Sequence, residues 1–344
     1  MENMAELVVM TIIMISIALA AIGGNLLVIV AVLWNKRIRT VPNFLFINLA
    51  VADFFQGLVS IPLRLTEQLN HSDIKPLVPC LVVIPLTILF YSASNINLTV
   101  ISLDRFVALY KPMHYKNIVT PCKVITTVLI SWIIALVLAL LPIMGWGPKN
   151  DIDLIDICLF STTLTKEYLF MLFTVINFVV LVILGITNIY ILRTARKQIR
   201  RIHVVTNVRV LDQNTDSMST MNQTAETTGP TGSKRSGISS FASFRRRAHA
   251  NATRFSGRRE RKATKVVLII VGLFIILTVP ITVIDILGVF DVDVDVPLLL
   301  IKITACMAYS NACLNVFIYA GYNKDMRDTL TMMYLRLKCF LRRQ

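Results

Sequence analysis

Charge is scarce in this sequence. Asp, Glu, Lys and Arg make up 16% of its 344 residues, against 55% hydrophobic residues. Soluble globular chains carry roughly 25% charged residues, because their surface must face water. With a mean hydropathy of +0.68, a water-soluble fold is disfavoured. Histidine is scarcer still: His71, His114, His203 and His249 are all there is, in loops or at segment edges. A buried nucleophile–base pair or metal set built on histidine has nothing to draw on, and no enzyme activity is expected. The formal net charge is +15, yet no aromatic-interleaved basic motif accompanies it, which argues against a nucleic-acid partner. No internal repeat is visible, which weakens a transporter reading. The polar clusters toward either end are separated by apolar turns, which weakens a channel reading.

Long apolar runs are what the chain has instead. They cover 7–34, 43–67, 77–110, 122–146, 167–193, 262–289 and 296–320. Each reaches roughly 20 residues, the length that crosses a hydrocarbon layer of about 30 Å. The first run lacks a positive lead, so it reads as a retained helix rather than a cleaved signal. Basic residues follow the first run (Lys36, Arg37, Arg39), the third (Lys111, Lys116) and the fifth (Arg193, Arg196, Lys197). They also precede the sixth (Arg258, Arg259, Arg261) and end the chain. The remaining loops are mixed or acidic, so the positive-inside rule puts the N-terminus outside and the C-terminus inside. The expected fold is all-α, a seven-transmembrane helix bundle in the plasma membrane with a short amphipathic eighth helix.

Four segments follow. Residues 1–202 hold the first five membrane helices, and 203–257 form a long third cytoplasmic loop. Residues 258–322 hold the last two helices, and 323–344 the amphipathic helix and tail. The loop is rich in Ser, Thr, Asn and Gly around 213–243 and is expected to be disordered. It would offer phosphorylation sites and a basic surface for partners or lipid; an inert linker is the alternative. In the last segment Met326, Leu330, Met333, Leu337 and Phe340 fall near one face, as in a helix lying at the membrane surface. Cys339 there could be palmitoylated or remain a free thiol.

Of six cysteines, only Cys80 and Cys158 fall on the outer side, where oxidising conditions allow a bridge. Cys122, Cys306, Cys313 and Cys339 are expected as free thiols. The sequon Asn70-His71-Ser72 is also outside and available for glycosylation.

Polar residues inside the runs carry the mechanistic signal, since an intramembrane carboxylate is costly. Asp53 lies mid-run, as do Asn25 and Ser94. Asn311, Asn315 and Tyr319 are spaced four apart and share a helix face. These groups suit a hydrated pocket or a sodium site of oxygen ligands. Interhelical hydrogen bonds, worth about 1 kcal/mol each, are the plainer account, which serves the amides better than the carboxylate. Near the inner rim, Arg105 can pair with Asp104 and, across the bundle, with Glu260, a breakable charge-assisted contact suited to a switch. Solvated interfacial charges are the alternative. Pro280 removes a backbone hydrogen bond from the sixth helix and makes a kink plausible there. Phe274 is expected to pack against the third helix.

Taken in order, several motifs resemble those of rhodopsin-like receptors. They are Gly24-Asn25, Leu49-Ala50-Val51-Ala52-Asp53, Asp104-Arg105-Phe106, Trp132, Tyr190, Phe274 with Pro280, and Asn315-Val316-Phe317-Ile318-Tyr319. The resemblance covers all seven helices. It implies a G protein-coupled receptor in which Arg105 engages the heterotrimeric G protein and Glu260 locks the inactive state. It also implies that Asp53, Ser94, Asn311 and Asn315 hold sodium, and that Tyr190 and Tyr319 steady the active form. Arrestin and receptor kinases are further partners that such a receptor would meet. Within that family the chain resembles adenosine receptors in Tyr115 to Thr120, in Leu141 to Trp146, in its short N-terminus and in Cys158-Leu159-Phe160. Phe160 is then the first candidate ligand contact, with adenosine as a candidate ligand and ring stacking as its means.

The chain departs from that pattern where the ligand would sit. Ser161 replaces a loop Glu, Thr278 a Trp, Thr282 a His, Asp285 an Asn, and Ala308-Tyr309 a Ser-His pair. Ionised Asp285 accepts hydrogen bonds but lacks the donor of an amide. Val182 and Val316 stand where Pro is usual, and Phe106 where Tyr is usual. Thr87 takes the place of the Asp of amine receptors, which argues against a typical amine receptor. The candidate contacts are Phe160 and Asp285, with Thr87, Tyr91, Ile281, Thr282, Tyr309 and Lys302 as weaker candidates chosen by helix face and depth. A lid residue at Phe160 and a helix-end carboxylate at Asp285 are the plainer readings. A receptor for a non-purine small molecule or lipid, or one active without ligand, is the alternative function.

Overall fold

A computed structural model describes residues 4–69, 77–146, 163–194, 268–290, 296–322 and 324–341. Among them are seven helices long and apolar enough to cross a membrane. We label them in chain order. Helix α1 is Met4–Trp34. Helix α2 runs over Val41–Phe55, widens into a π turn at Gln56–Ser60 and continues as Ile61–Leu69. Helix α3 is Leu77–Tyr110 and α4 is Pro121–Leu140. Helix α5 is Lys166–Thr194, with a π turn at Phe173–Phe178. Helices α6 and α7 are Leu268–Val289 and Leu298–Tyr322. An eighth helix, α8, covers Lys324–Leu341.

Local sequence explains the ends. Pro42 and Pro121 sit in the first turns of α2 and α4, where a missing N–H costs nothing, and extended Thr40 and Thr120 precede them. Helix α4 stops at Leu140, short of the run to residue 146 read from hydropathy. Residues 141–146 turn, with Gly145 at φ 96°, a conformation open to glycine. Apolarity extends past the helix because these residues still face a nonpolar surface: Trp146 packs edge-on against Tyr168, centroids 5.8 Å apart.

The outer surface of the bundle is apolar, and its interior combines apolar side chains with buried polar ones. Asn25 and Asp53 are 0% exposed, whereas Ile12, Ile125 and Phe178 are 58%, 61% and 64% exposed. That pattern suits a hydrocarbon solvent, where apolar side chains face lipid and polar ones find partners inside. Close packing of α1 on α2 depends on Gly57. A Cβ there would lie 2.8 Å from the Ala21 Cβ and 3.1 Å from the Ala18 carbonyl oxygen.

The main apolar core joins Val28 and Val32 of α1, Leu49 of α2, Leu98 and Ile101 of α3, Leu184 of α5 and Phe274 of α6. Phe274 is fully buried in this core, which also holds Leu98 and Ile101 of α3. Helix α8 docks through buried Met326, with Leu330 and Met333 beside it. Its place is fixed by Asn35, whose amide donates to the Thr329 hydroxyl at 2.8 Å, and by Arg336, 4.9 Å over the Trp34 ring. The side chains of Leu337 and Phe340 lie outside the described residues.

The chain divides into two compact units, Met1–Asn188 with Val266–Gln344, and Ile189–Lys265. Of the second, only the end of α5 to Thr194 is described, so the expectations for the loop at 203–257 and for Glu260 lie outside the described residues. So do those for Asn70, Cys158 and Phe160, and the Cys80 side chain with its proposed bridge. Cys122, Cys306, Cys313 and Cys339 are free thiols, Cys339 exposed on α8.

Candidate functional site

A cavity of about 420 Å³ lies among α2, α3, α5, α6 and α7. Six of the ligand candidates read from sequence line it: Thr87, Tyr91, Ile281, Thr282, Asp285 and Tyr309. They come together because each sits on the inward stripe of its helix. Thr87 and Tyr91 are one turn apart on α3, and Ile281, Thr282 and Asp285 span one turn of α6. Lys302 is not among the lining residues; it lies 4.0 Å from Glu6 of α1.

Hydrogen bonds set the chemistry of the wall. Tyr91 donates to the Asn177 side-chain oxygen at 2.9 Å, tying α3 to α5. The Thr87 hydroxyl donates to the Val83 carbonyl, and the Thr282 hydroxyl to the Thr278 carbonyl at 2.8 Å. Both hydroxyl oxygens keep lone pairs and can accept from a ligand. Thr278 donates to the Phe274 carbonyl at 2.6 Å. No bulky ring therefore occupies that step of α6.

Below the cavity lies Asp53. Ser94 donates to one of its carboxylate oxygens at 2.7 Å and Asn315 to the other at 2.9 Å, so α2, α3 and α7 meet on one group. Asn311 is buried on α7, one turn before Asn315. Asn25 ties α1 to α7 by donating to the Ala312 carbonyl at 2.9 Å. Carboxylate, hydroxyl and amide oxygens form a hard donor set, which suits sodium. No group of three or more His, Cys, Asp or Glu residues that would suit a transition metal occurs among the described residues.

At the end of α3, Arg105 forks onto Asp104. Its Nε donates to the carboxylate at 2.9 Å and a terminal nitrogen to the same oxygen. Tyr115, on the short helix Tyr115–Ile118, donates to the other Asp104 oxygen at 2.6 Å. Burial, then the hydrogen bond and charge of Asp104, push the Tyr115 phenol well above its ordinary pKa, with Arg105 opposing. Tyr115 therefore stays a donor at any physiological pH. Tyr190 and Tyr319 lie on α5 and α7, and Pro280 lies within α6.

Several participants were not read from sequence. Gln56, Arg64 and Asn177 line the cavity, Arg64 being an ionisable residue within a candidate membrane span. That signal was available, because a charge in such a run points to function. Asn48, Asn97, Ser131 and Trp132 form a second buried network: Trp132 donates to Asn48 at 2.8 Å, Asn48 to Asn97, and Ser131 to Asn97 at 3.3 Å. It links α2, α3 and α4 and gives Trp132 a structural role.

Comparison with known proteins agrees with this arrangement. Residues 24–319 match the family described as 7 transmembrane receptor (rhodopsin family). The chain is 26% identical to the histamine H2 receptor of Cavia porcellus, covering 95% of this chain and 79% of that protein. It is 25% identical to the alpha-1A adrenergic receptor of Mus musculus (99% and 71%) and to the human histamine H2 receptor (97% and 81%). These relatives are receptors, not enzymes. The chain belongs to the rhodopsin family of seven-transmembrane receptors, multi-pass membrane proteins that signal through G proteins.

Proposed function

We propose that the chain holds an extracellular small molecule in the cavity and relays its presence to a heterotrimeric G protein at Asp104-Arg105. One observation carries this reading: the single helix α3 helps line the cavity with Thr87 and Tyr91, binds Asp53 through Ser94 and carries the Asp104–Arg105 pair near its far end. At 1.5 Å of rise per residue, Tyr91 and Arg105 are roughly 21 Å apart along one rigid rod. A small rotation of α3 would be felt at both ends, and an ion pair that opens provides two discrete states.

The N-terminus would be extracellular, with Phe160 over the cavity, Cys80 and Cys158 bridged, and Asn70 open to glycosylation. Glu260 would be the second partner of Arg105. Tyr190 and Tyr319 would steady the active form, and Phe274 and Pro280 would shape the movement of α6. Asp53, Ser94, Asn311 and Asn315 would hold a sodium ion, which would supply a positive charge to the buried carboxylate. Palmitoylation of Cys339 would add a second anchor to α8.

Adenosine is the first ligand to test, on the resemblance of Cys158-Leu159-Phe160 and the loop from Tyr115. Cyclic AMP would be measured in cells expressing the chain, with and without adenosine and forskolin. A saturable adenosine response lost in Phe160→Ala supports an adenosine-like receptor; none, with normal surface expression, removes it. The second reading is a receptor for a non-purine ligand, or one active without ligand. Asp285 and Thr282 in the cavity wall favour it, since a site built for bidentate amide bonding loses much affinity when those groups change. Basal activity that rises in Glu260→Ala and vanishes in Arg105→Ala would support the proposed lock.

A further inference from the structure

Resting on the reading of the cavity as the ligand site, we propose that its end nearest Asp53 is an uncharged hydrogen-bonding subsite formed by Gln56, Ser92 and Asn177. It selects a neutral ligand, an apolar body tipped with a carboxamide, that is, a carbonyl beside an N–H.

The three residues come from α2, α3 and α5 and line the same cavity. All are buried, at 3%, 0% and 4% exposure. Contacts between α2 and α3 fix their level. Ser94 reaches Asp53 on one side, and the Ser60 hydroxyl donates to the Leu86 carbonyl at 3.4 Å on the other. Between them Phe55 stacks on Phe90, centroids 5.5 Å apart. Gln56 and Ser92 both fall inside that interval. Along their helices they lie about 4.5 Å beyond Asp53 and about 3 Å beyond Ser94, so they meet the cavity at nearly one level. Tyr91, beside Ser92, reaches the Asn177 oxygen at 2.9 Å and brings α5 to that level. Gln56 opens the π turn of α2, and Asn177 lies in the π turn of α5. Such turns insert an extra residue into a helix and gather at functional sites.

These groups have hydrogen bonds left to make. The buried Ser92 hydroxyl has no hydrogen-bond partner in the protein. Asn177 has its oxygen engaged by Tyr91 and keeps an N–H2 group to donate. The Gln56 amide offers both a donor and an acceptor. The charged lining residues are set toward the other end. Arg64, which already interacts within the protein, is two turns beyond Gln56 on α2, and Asp285 is one turn beyond Ile281 on α6.

Ligand tips can be ranked by what they leave unpaired. A hydrocarbon tip would leave buried donors and acceptors without partners. A carboxylate or an ammonium would give up its hydration for neutral partners only. A ketone or ester accepts, but has no proton for the Gln56 oxygen. A carboxamide matches all three residues: its carbonyl accepts from Asn177 and Ser92, and its N–H donates to Gln56. Ile88, Phe173, Ile176 and Ile281 offer an apolar bed for the body. The volume of about 420 Å³ is toward the lower end of small-molecule pockets, about 300–1,000 Å³, and suits a body of one or two rings better than a peptide.

The test uses the full chain. The probes are benzamide, naphthalene carboxamide and biphenyl carboxamide. Each is compared with its methyl ketone, in which a methyl replaces the amide nitrogen, its carboxylate and its aminomethyl compound. Binding is read as the rise of the unfolding midpoint with ligand concentration in detergent. Signalling is read as guanine-nucleotide exchange in membranes with a G protein. At least one carboxamide is expected to bind at a concentration at least about tenfold below its three counterparts, a separation of about 1.4 kcal/mol. Ser92→Ala and Gln56→Leu should each weaken that carboxamide by about fivefold, the size of one neutral hydrogen bond. Gln56→Leu should weaken the methyl ketone by less than about twofold, since the ketone has no N–H to lose a partner. Without ligand, Ser92→Ala should unfold no earlier than the native chain, because its hydroxyl holds no other residue. That separates lost recognition from lost folding.

Methyl ketones that bind as tightly as the carboxamides, or a carboxamide indifferent to both substitutions, would overturn the proposal. So would carboxamides that fail to bind, up to their solubility, a chain whose basal exchange falls in Arg105→Ala; the receptor reading would then stand without this subsite. Carboxamide binding with the expected preferences, but exchange no different from membranes lacking the chain, would support the subsite and remove the signalling reading. Failure of both binding and exchange would remove both.

Discussion

Asp53 shows how much one side chain carries. Its two oxygens receive Ser94 and Asn315, so removing the charge changes three helices at once. Asp53→Asn is expected to abolish any effect of sodium on agonist affinity while leaving surface expression within about twofold. A sodium effect that persists in this variant would remove Asp53 from the site. Tyr115 is the second telling residue. Tyr115→Phe deletes one hydrogen bond to Asp104, worth about 1 kcal/mol, and is expected to raise basal nucleotide exchange by roughly fivefold at most. Unchanged basal exchange would mean that Asp104 is held well enough by Arg105 alone. Asp53, Ser94, Asp104 and Arg105 were legible in the sequence because each is polar where apolarity is the rule. Arg64, Gln56 and Asn177 are equally polar within apolar runs, so the sequence carries their polarity but not the cavity they line. The face each presents depends on helix phase, which π turns at Gln56–Ser60 and Phe173–Phe178 change. An extra residue in a turn rotates everything after it by about 100°.

At the scale of elements, hydropathy located the spans because length and apolarity are what a membrane demands of a helix. It placed the end of α4 at residue 146 instead of Leu140, since nothing in apolarity distinguishes a final helical turn from a turn packed on α5. Contacts between helices were less legible still. The sequence does not announce that Gly57 faces Ala18 and Ala21 across a gap that no side chain fits. Gly57→Val is expected to force α1 and α2 apart and cost about 1–3 kcal/mol. Thermal unfolding in detergent would show a lower midpoint and cells would show less protein at the surface. An unchanged midpoint would mean that α1 yields without loss. Helix α8 was legible from the Met326, Leu330 and Met333 stripe, and its docking through Asn35 and Thr329 was not, because partners so far apart in sequence leave no local pattern.

At the scale of the molecule, the apolar outer surface, the seven long apolar helices and the family match agree on a receptor that crosses the membrane seven times. The charge of the loops sets the expected orientation. An epitope placed at the N-terminus should stain intact cells, and one at the C-terminus should stain only permeabilised cells; the opposite pattern would overturn the assignment of the cavity to the extracellular side. Everything proposed for signalling then depends on α3 joining the cavity to Arg105. The most direct measurement is nucleotide exchange by a G protein in membranes carrying the chain, compared with membranes carrying Arg105→Ala at matched surface density. The account predicts exchange above untransfected membranes, basal or ligand-driven, that falls to background in Arg105→Ala. Equal exchange from the two would contradict the claim that the chain signals through this arginine.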